Sequence, residues 1–117
     1  MRETTLKDLQ DLITSFCEER NWGQFHNPKD LSISLSLEAS ELLEHFQWKN
    51  NEEIAEHIAT QKEAVGEELA DILYWTLLTA NNLDVNLSEA FLKKMEVNAR
   101  KYPASKSKGN HKKYTEL

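Results

Sequence analysis

Apolar positions recur every three or four residues along most of the chain. The first run, Leu6, Leu9, Leu12, Ile13, Phe16 and Cys17, traces one face of a helix, with Thr4 or Thr5 placed as its N-cap. Asn21 to His26 breaks the periodicity and reads as a connector. Asn27-Pro28-Lys29-Asp30 then carries the chemistry of a helix start: Asn caps, Pro fills the first turn, and Asp faces the positive end of the dipole. The next segment, Leu31-Ser32-Ile33-Ser34-Leu35-Ser36-Leu37, alternates strictly, as a strand would. It runs without a breaker into Glu38-Ala39-Ser40-Glu41-Leu42-Leu43, however, and no second segment offers a partner strand. An unpartnered strand leaves its backbone groups unsatisfied, so the segment reads as helix, ending at Trp48, with serines that permit close approach of a neighbour.

Further along, Asn51 is placed to cap a short helix through Ile58. Thr60-Gln61-Lys62-Glu63 is a capping box that starts a long helix to about Asn81. Asn86-Leu87-Ser88-Glu89 repeats the box ahead of a last helix, which Pro103 stops after Lys101 or Tyr102. These elements predict an all-α fold, an antiparallel four-helix bundle with one short extra helix, over residues 1–103. Residues 104–117 read as a basic flexible tail.

Composition narrows the function. The 117 residues suit one domain, and the longest uncharged stretch, Ile72 to Leu83, is shorter than the ~20 residues of a membrane span. Early charges at Arg2, Glu3, Lys7 and Asp8 do not fit a signal peptide, so a cytoplasmic protein with no membrane partner is expected. Cys17 is the only cysteine, which excludes an internal disulfide and a thiolate metal cluster. Neither G-x-G-x-x-G nor G-x-x-x-x-G-K occurs, so the two common phosphate-cradling loops are missing. Residues 1–92 hold 18 acids against six Lys/Arg, whereas residues 93–117 hold two against eight. A body this acidic argues against a nucleic-acid polymer as partner.

Ten carboxylates fall within residues 38–71. Such a density repels itself unless it is solvated or neutralised by cations. Carboxylates three apart on a helix can share one cation, and Asp8/Asp11, Glu38/Glu41, Glu41/Glu44, Glu53/Glu56 and Glu68/Asp71 all have that spacing. Asp8/Asp11 and Glu53/Glu56 read as solvated faces. Asp71, among Leu69, Ala70, Ile72, Leu73, Tyr74 and Trp75, reads as buried and in need of a partner. Glu38 and Glu41 interrupt an apolar helix in line with Ser34 and His45. Two facing helices with such pairs would make a four-carboxylate cage, whose hard oxygens suit Mg²⁺ or Mn²⁺.

Three readings of the cage compete. One is metal-assisted phosphoryl chemistry. Another is a di-iron bundle, which wants Glu-x-x-His; yet Gly23, Leu42, Ile54 and Lys108 precede His26, His45, His57 and His111 by three. The third is a non-enzymatic acidic bundle acting as an oligomeric interaction module. Trp22, Phe25, His26, Trp48 and Trp75 are each ordinary core candidates, but together they offer stacking surfaces for a nucleobase.

Glu38-Ala39-Ser40-Glu41, Phe46-Gln47-Trp48-Lys49 and Glu67-Glu68-Leu69-Ala70-Asp71 together resemble the MazG-like nucleotide pyrophosphohydrolases, an all-α superfamily with an E-x-x-E then E-x-x-D signature. Trp22-Gly23-Gln24-Phe25-His26-Asn27-Pro28, Met95-Glu96-Val97-Asn98, Lys101-Tyr102-Pro103 and Lys113-Tyr114-Thr115-Glu116-Leu117 are similar to its dCTP pyrophosphatase branch. The resemblance implies Mg²⁺-dependent hydrolysis of a nucleoside triphosphate, dCTP or a modified pyrimidine dNTP, to monophosphate and pyrophosphate. It implies Glu38, Glu41, Glu68 and Asp71 as metal ligands, with Glu41 also orienting or deprotonating the attacking water. It implies Trp22, His26, Trp48 and Trp75 around the base and Asn98 reading base or sugar. Arg100, Lys101, Lys113 and Tyr114 would contact phosphate, and a homo-oligomer, dimer or tetramer, would complete the site. The mobile basic tail would close over bound phosphates as a lid.

Overall fold

The computed structural model describes residues 2–117. Its helices are α1 (Leu6–Glu19), α2 (Pro28–Glu44), α3 (Asn51–Asn82), α4 (Leu87–Lys101) and the one-turn α5 (Ala104–Ser107), with 3₁₀ turns at Gly23–Phe25 and Tyr114–Glu116. Among the described residues there is no strand. No helix among the described residues is long and apolar enough to cross a membrane. The chain divides into two compact units, Met1–Asp84 and Val85–Leu117.

Local side-chain bonds set the helix ends. Thr5 Oγ1 accepts from the Asp8 N–H at 3.2 Å while the Asp8 carboxylate accepts from the Thr5 N–H at 2.8 Å, a complete capping box. Asp8 also binds Arg2 at 2.6 Å, and that guanidinium is the main cause of its lowered pKa. Its role is therefore capping, where the sequence suggests only a solvated face. Asn27 Oδ1 accepts from the Asp30 N–H at 2.9 Å, with Pro28 opening α2 as expected. Asn50, one residue before the expected cap, forms the capping box with Glu53 that starts α3.

The expected break between Ile58 and Thr60 is instead a kink within one 32-residue helix, where Gln61 leaves helical geometry at φ −122, ψ 23. Thr60 does not cap a new helix. Its hydroxyl donates to the Glu56 carbonyl at 3.0 Å, the back-bonding of a mid-helix threonine. At the other end of the chain, the segment expected to be a flexible tail contains α5 and the last 3₁₀ turn.

In the Met1–Asp84 unit, α3 packs against both α1 and α2. Ile13 and Cys17 from α1, Leu31 from α2, and Leu77, Leu78 and Ala80 from α3 form the buried core. Gln10 donates to Asn81 at 3.0 Å, and Asn81 donates to Thr14 at 3.3 Å, tying α1 to the end of α3. On α2 the less exposed positions are Leu31, Ser34, Leu35, Glu38 and Leu42, followed by His45 at its C-cap, a stripe that recurs every three or four residues. The alternating Leu/Ile/Ser run thus splits over two helix faces: Leu31 and Leu35 turn inward, while Ile33 and Leu37 remain exposed. The inward stripe is what carries Glu38 to the site.

Candidate active site

Glu38 and Glu41 lie one turn apart on α2, and Glu68 approaches from α3. One carboxylate oxygen from each lies within 4.8 Å of the others. Glu38 Oε2 and Glu68 Oε2 are buried atoms with no hydrogen-bond partner, and no Lys or Arg among the described residues pairs with them. Buried acceptors are almost always satisfied, so these two oxygens are the ones that a proton or a cation would satisfy. Burial, then the neighbouring Glu41, Asp71 and Glu68, pushes the Glu38 carboxyl up to about 7. Burial and Glu41 raise Glu68 as well.

Asp71 corrects the sequence expectation. It is exposed, and so are Leu69 and Leu73 on either side of it in the helix, each about half. It stands outside the three-carboxylate cluster, yet close enough for its charge to raise both Glu38 and Glu68. The fourth corner of the expected cage is therefore the open one.

A cavity of about 470 Å³ adjoins the cluster, with Glu38 and Asp71 in its wall and Phe16, Trp22, Tyr74 and Trp75 as its aromatic lining. Phe16 meets Trp22 edge-to-face at 5.5 Å and Tyr74 at 6.2 Å, which fixes three of the rings against one another. Trp75 follows Asp71 by four residues, so one face of α3 presents both a carboxylate and a stacking surface. A second cavity, of about 290 Å³, is lined by Trp22, His26 and Trp75 together with Asp30 and Ser34. Trp48 lines neither cavity; it sits at φ 68 in the turn after α2 and is 91% exposed. Its helix ends at Glu44, four residues before the expected stop.

Tyr74 and Phe16 were not among the expected pocket residues. Tyr74 could have been found three residues after Asp71; Phe16 carries only the helical spacing shared by any core position. The Tyr74 hydroxyl lies 3.5 Å from Cys17 Sγ, and burial is the main cause of its raised pKa.

The remaining expected residues belong to the Val85–Leu117 unit. Asn98 is half-buried on α4. Arg100, Lys101 and Tyr114 line a cavity of about 470 Å³ with Lys106, and the Lys101 ammonium lies 4.7 Å from the Tyr114 ring centre. Lys113 is exposed just ahead of the last 3₁₀ turn.

The chain is similar to known proteins in both sequence and structure. The MazG-like family model matches residues 33–117. The chain is 43% identical to dCTP pyrophosphatase 1 of Bos taurus, over 98% of this chain and 69% of that protein. It is 41% identical to dCTP pyrophosphatase 1 of Homo sapiens over the same shares. A crystal structure of a pyrophosphatase from Archaeoglobus fulgidus is similar with a TM-score of 0.80 at 38% identity, covering 88% of this chain and 96% of that one.

Proposed function

The chain belongs to the MazG-like family and is a nucleotide pyrophosphohydrolase, and from that premise we propose that its substrate is a pyrimidine deoxynucleoside triphosphate. dCTP or a base-modified relative would be hydrolysed to the monophosphate and pyrophosphate with Mg²⁺, for which Mn²⁺ could substitute. The carrying observation is the convergence of Glu38, Glu41 and Glu68 beside an aromatic cavity. Family membership sets aside the non-enzymatic bundle, and among the described residues no histidine joins the cluster, as a di-iron site would require.

The donor set fits a hard divalent cation: clustered carboxylate oxygens, two of them buried and without partners. Glu38, Glu41 and Glu68 would hold it, with Asp71 as the open-side ligand, and the bound ion would supply Lewis acidity at the phosphate oxygens. Glu41 is the exposed member of the three, so its free oxygen can take the proton of a water from solvent. That water's oxygen bonds to phosphorus as the bridge between the α- and β-phosphates breaks, and pyrophosphate leaves. Phe16, Trp22, Tyr74 and Trp75 receive the base and exclude water from it. His26 completes the base-binding set from the neighbouring cavity, and Trp48 joins it where a second copy of the chain brings the ring to the base. In the same reading Asn98 recognises base or sugar, Arg100, Lys101, Lys113 and Tyr114 contact phosphate, and the basic C-terminal segment acts as a lid.

The exposed Ile33, Leu37, Leu43, Leu69 and Leu73 on α2 and α3 support a homo-oligomer, dimer or tetramer, whose formation would cover them. The decisive experiment is a panel of canonical and modified dNTPs with Mg²⁺, scored for pyrophosphate against phosphate release. Preferential pyrophosphate release from pyrimidine dNTPs is expected; equal turnover of all bases defeats the assignment of substrate. A chain ending at Pro103 tests the lid: weakened triphosphate affinity with unchanged oligomer size is expected, and full activity rules the lid out.

A further inference from the structure

The carboxylate cluster borders a second, chemically different cavity. Glu41 and Glu68 line one of about 490 Å³ whose other walls are Glu44, His45, Lys49 and His57. The aromatic cavity takes Glu38 and Asp71 instead. One set of carboxylates thus adjoins an apolar, ring-lined space and a polar, nitrogen-lined one. A nucleoside triphosphate has the same asymmetry, a flat base at one end and a polyphosphate at the other, with the scissile bridge between.

The nitrogen groups are held in place. His45 caps the C-terminus of α2, and His57 projects from the first turns of α3. The His45 Nδ1 and His57 Nε2 atoms lie 2.8 Å apart, with Phe46 packed edge-on against His57 at 5.8 Å. Because each imidazole uses one nitrogen on the other, His45 Nε2 and His57 Nδ1 are left for a ligand. Lys49 follows the turn, its N–H bonded to the Phe46 carbonyl at 3.2 Å, and its charge acts on His57. Neither the aromatic cavity nor the one beside His26 has a Lys or Arg in its lining.

We propose that Lys49, with the His45–His57 pair, forms the subsite for the β- and γ-phosphates, the part of the substrate that leaves as pyrophosphate. The inference rests on the triphosphate reading above. Lys49 supplies a point charge to a phosphate oxygen, and the imidazole that accepts in the His45–His57 bond carries its proton on the outward nitrogen, which donates a directed hydrogen bond. His45 and His57 are positioning residues here, and Lys49 is a binding residue.

The test uses the full-length protein with Mg²⁺ and three variants: Lys49→Met, His57→Gln and, as a charge-matched surface control, Lys29→Met. Calorimetry with inorganic pyrophosphate and, separately, with a pyrimidine deoxynucleoside monophosphate reads the two ends of the site. Lys49→Met is expected to weaken pyrophosphate binding about tenfold, the scale of one charge-assisted hydrogen bond, with monophosphate binding changed less than about twofold. His57→Gln should give a smaller loss of the same pattern, and Lys29→Met none. Unchanged pyrophosphate affinity in Lys49→Met overturns the subsite, as does an equal loss for the monophosphate or for Lys29→Met. The functional reading fails differently: a wild-type chain that releases no pyrophosphate from any dNTP defeats that reading. Selective loss of pyrophosphate binding in Lys49→Met would still uphold the subsite.

Discussion

The Met1–Asp84 unit contains all the buried apolar residues of the described chain and carries 17 acids against six Lys/Arg. The Val85–Leu117 unit contains none of them and carries three acids against eight, while Phe91, Leu92 and Met95 on α4 stay half or more exposed. Burial is available where three helices meet and unavailable along a single amphipathic one. The difference shows where a costly site can be placed. Glu38 and Glu68 put unpartnered oxygens among like charges, an arrangement that opposes folding, and they sit in the unit with a core to bear it.

The sharpest way to break that comparison is to neutralise the cluster. Glu38→Gln or Glu68→Gln should lower triphosphate turnover by on the order of a thousandfold, since loss of a metal ligand removes several kcal/mol of transition-state stabilisation. The cation-free fold should melt at the same or higher temperature, because a repelling charge has gone. Glu53→Gln should leave both properties near wild type, as glutamine also serves in a capping box. Turnover and melting in parallel decide the matter. Equal losses at all three positions would mean misfolding and remove the case for a cation site.

Next in size is the base pocket. Trp75→Ala should weaken nucleotide binding by about 1–3 kcal/mol through lost stacking and leave Mg²⁺ binding intact. Trp48→Ala separates two accounts of the site. Its ring lies outside the aromatic cavity, so within a single chain the substitution should change affinity little. A loss matching that of Trp75→Ala would mean that another copy of the chain brings Trp48 to the base. Nucleotide titration at fixed Mg²⁺ reads both.

How much of this was legible in the sequence follows from the range of each interaction. Thr5, Asn27 and Asn86 were readable as caps because each bonds to a backbone N–H three residues away. The same local rule misjudged Thr60: the pattern marks a real weakness, seen as the kink at Gln61, but helical bonding continues past it. Glu38 and Glu41 were readable as a pair because their spacing lies on one helix, whereas the approach of Glu68 rests on the long-range packing of α3 against α2. The exposure of Asp71 was not readable, since apolar neighbours predict burial only where something covers them, and Leu69 and Leu73 are themselves exposed here. The His45–His57 bond spans a turn and twelve residues, with no local signature at all.

A smaller effect concerns pH. An ordinary glutamate titrates at 4.5, and Glu38 is pushed up to about 7 by burial and its acidic neighbours. A folded-state value above the unfolded one means that the folded chain holds the proton more tightly. That contribution to stability is whole below 4.5 and is lost as pH rises through about 7. In chelator, the melting temperature of the Met1–Asp84 unit should therefore fall between about pH 5 and pH 8, and Glu38→Gln should flatten the decline. Added Mg²⁺ should offset it most at the alkaline end, where the carboxylates are charged. A wild-type profile identical to that of Glu38→Gln would contradict the assigned electrostatics.

The smallest expected effect tests whether the two units are one cooperative body. Each has a helix whose start depends on a single side chain: Thr5 in the first, as half of a reciprocal box, and Asn86 in the second, accepting from the Glu89 N–H at 3.1 Å. Replacing either with alanine should cost about 1 kcal/mol. The reporters separate the units, because Trp22, Trp48 and Trp75 all lie before residue 85 while α4 contains no tryptophan. Thr5→Ala should shift the tryptophan-detected melt. Asn86→Ala should shift the same melt only if the units unfold together; otherwise it should raise amide exchange along α4 and leave the tryptophan signal in place. We expect the second outcome. The α4 unit has no buried apolar residue of its own, and its helix should open at a lower free-energy cost than the core made by Ile13, Leu31, Leu77 and Leu78. Matching shifts from both substitutions would show that the core's stability extends to the basic unit.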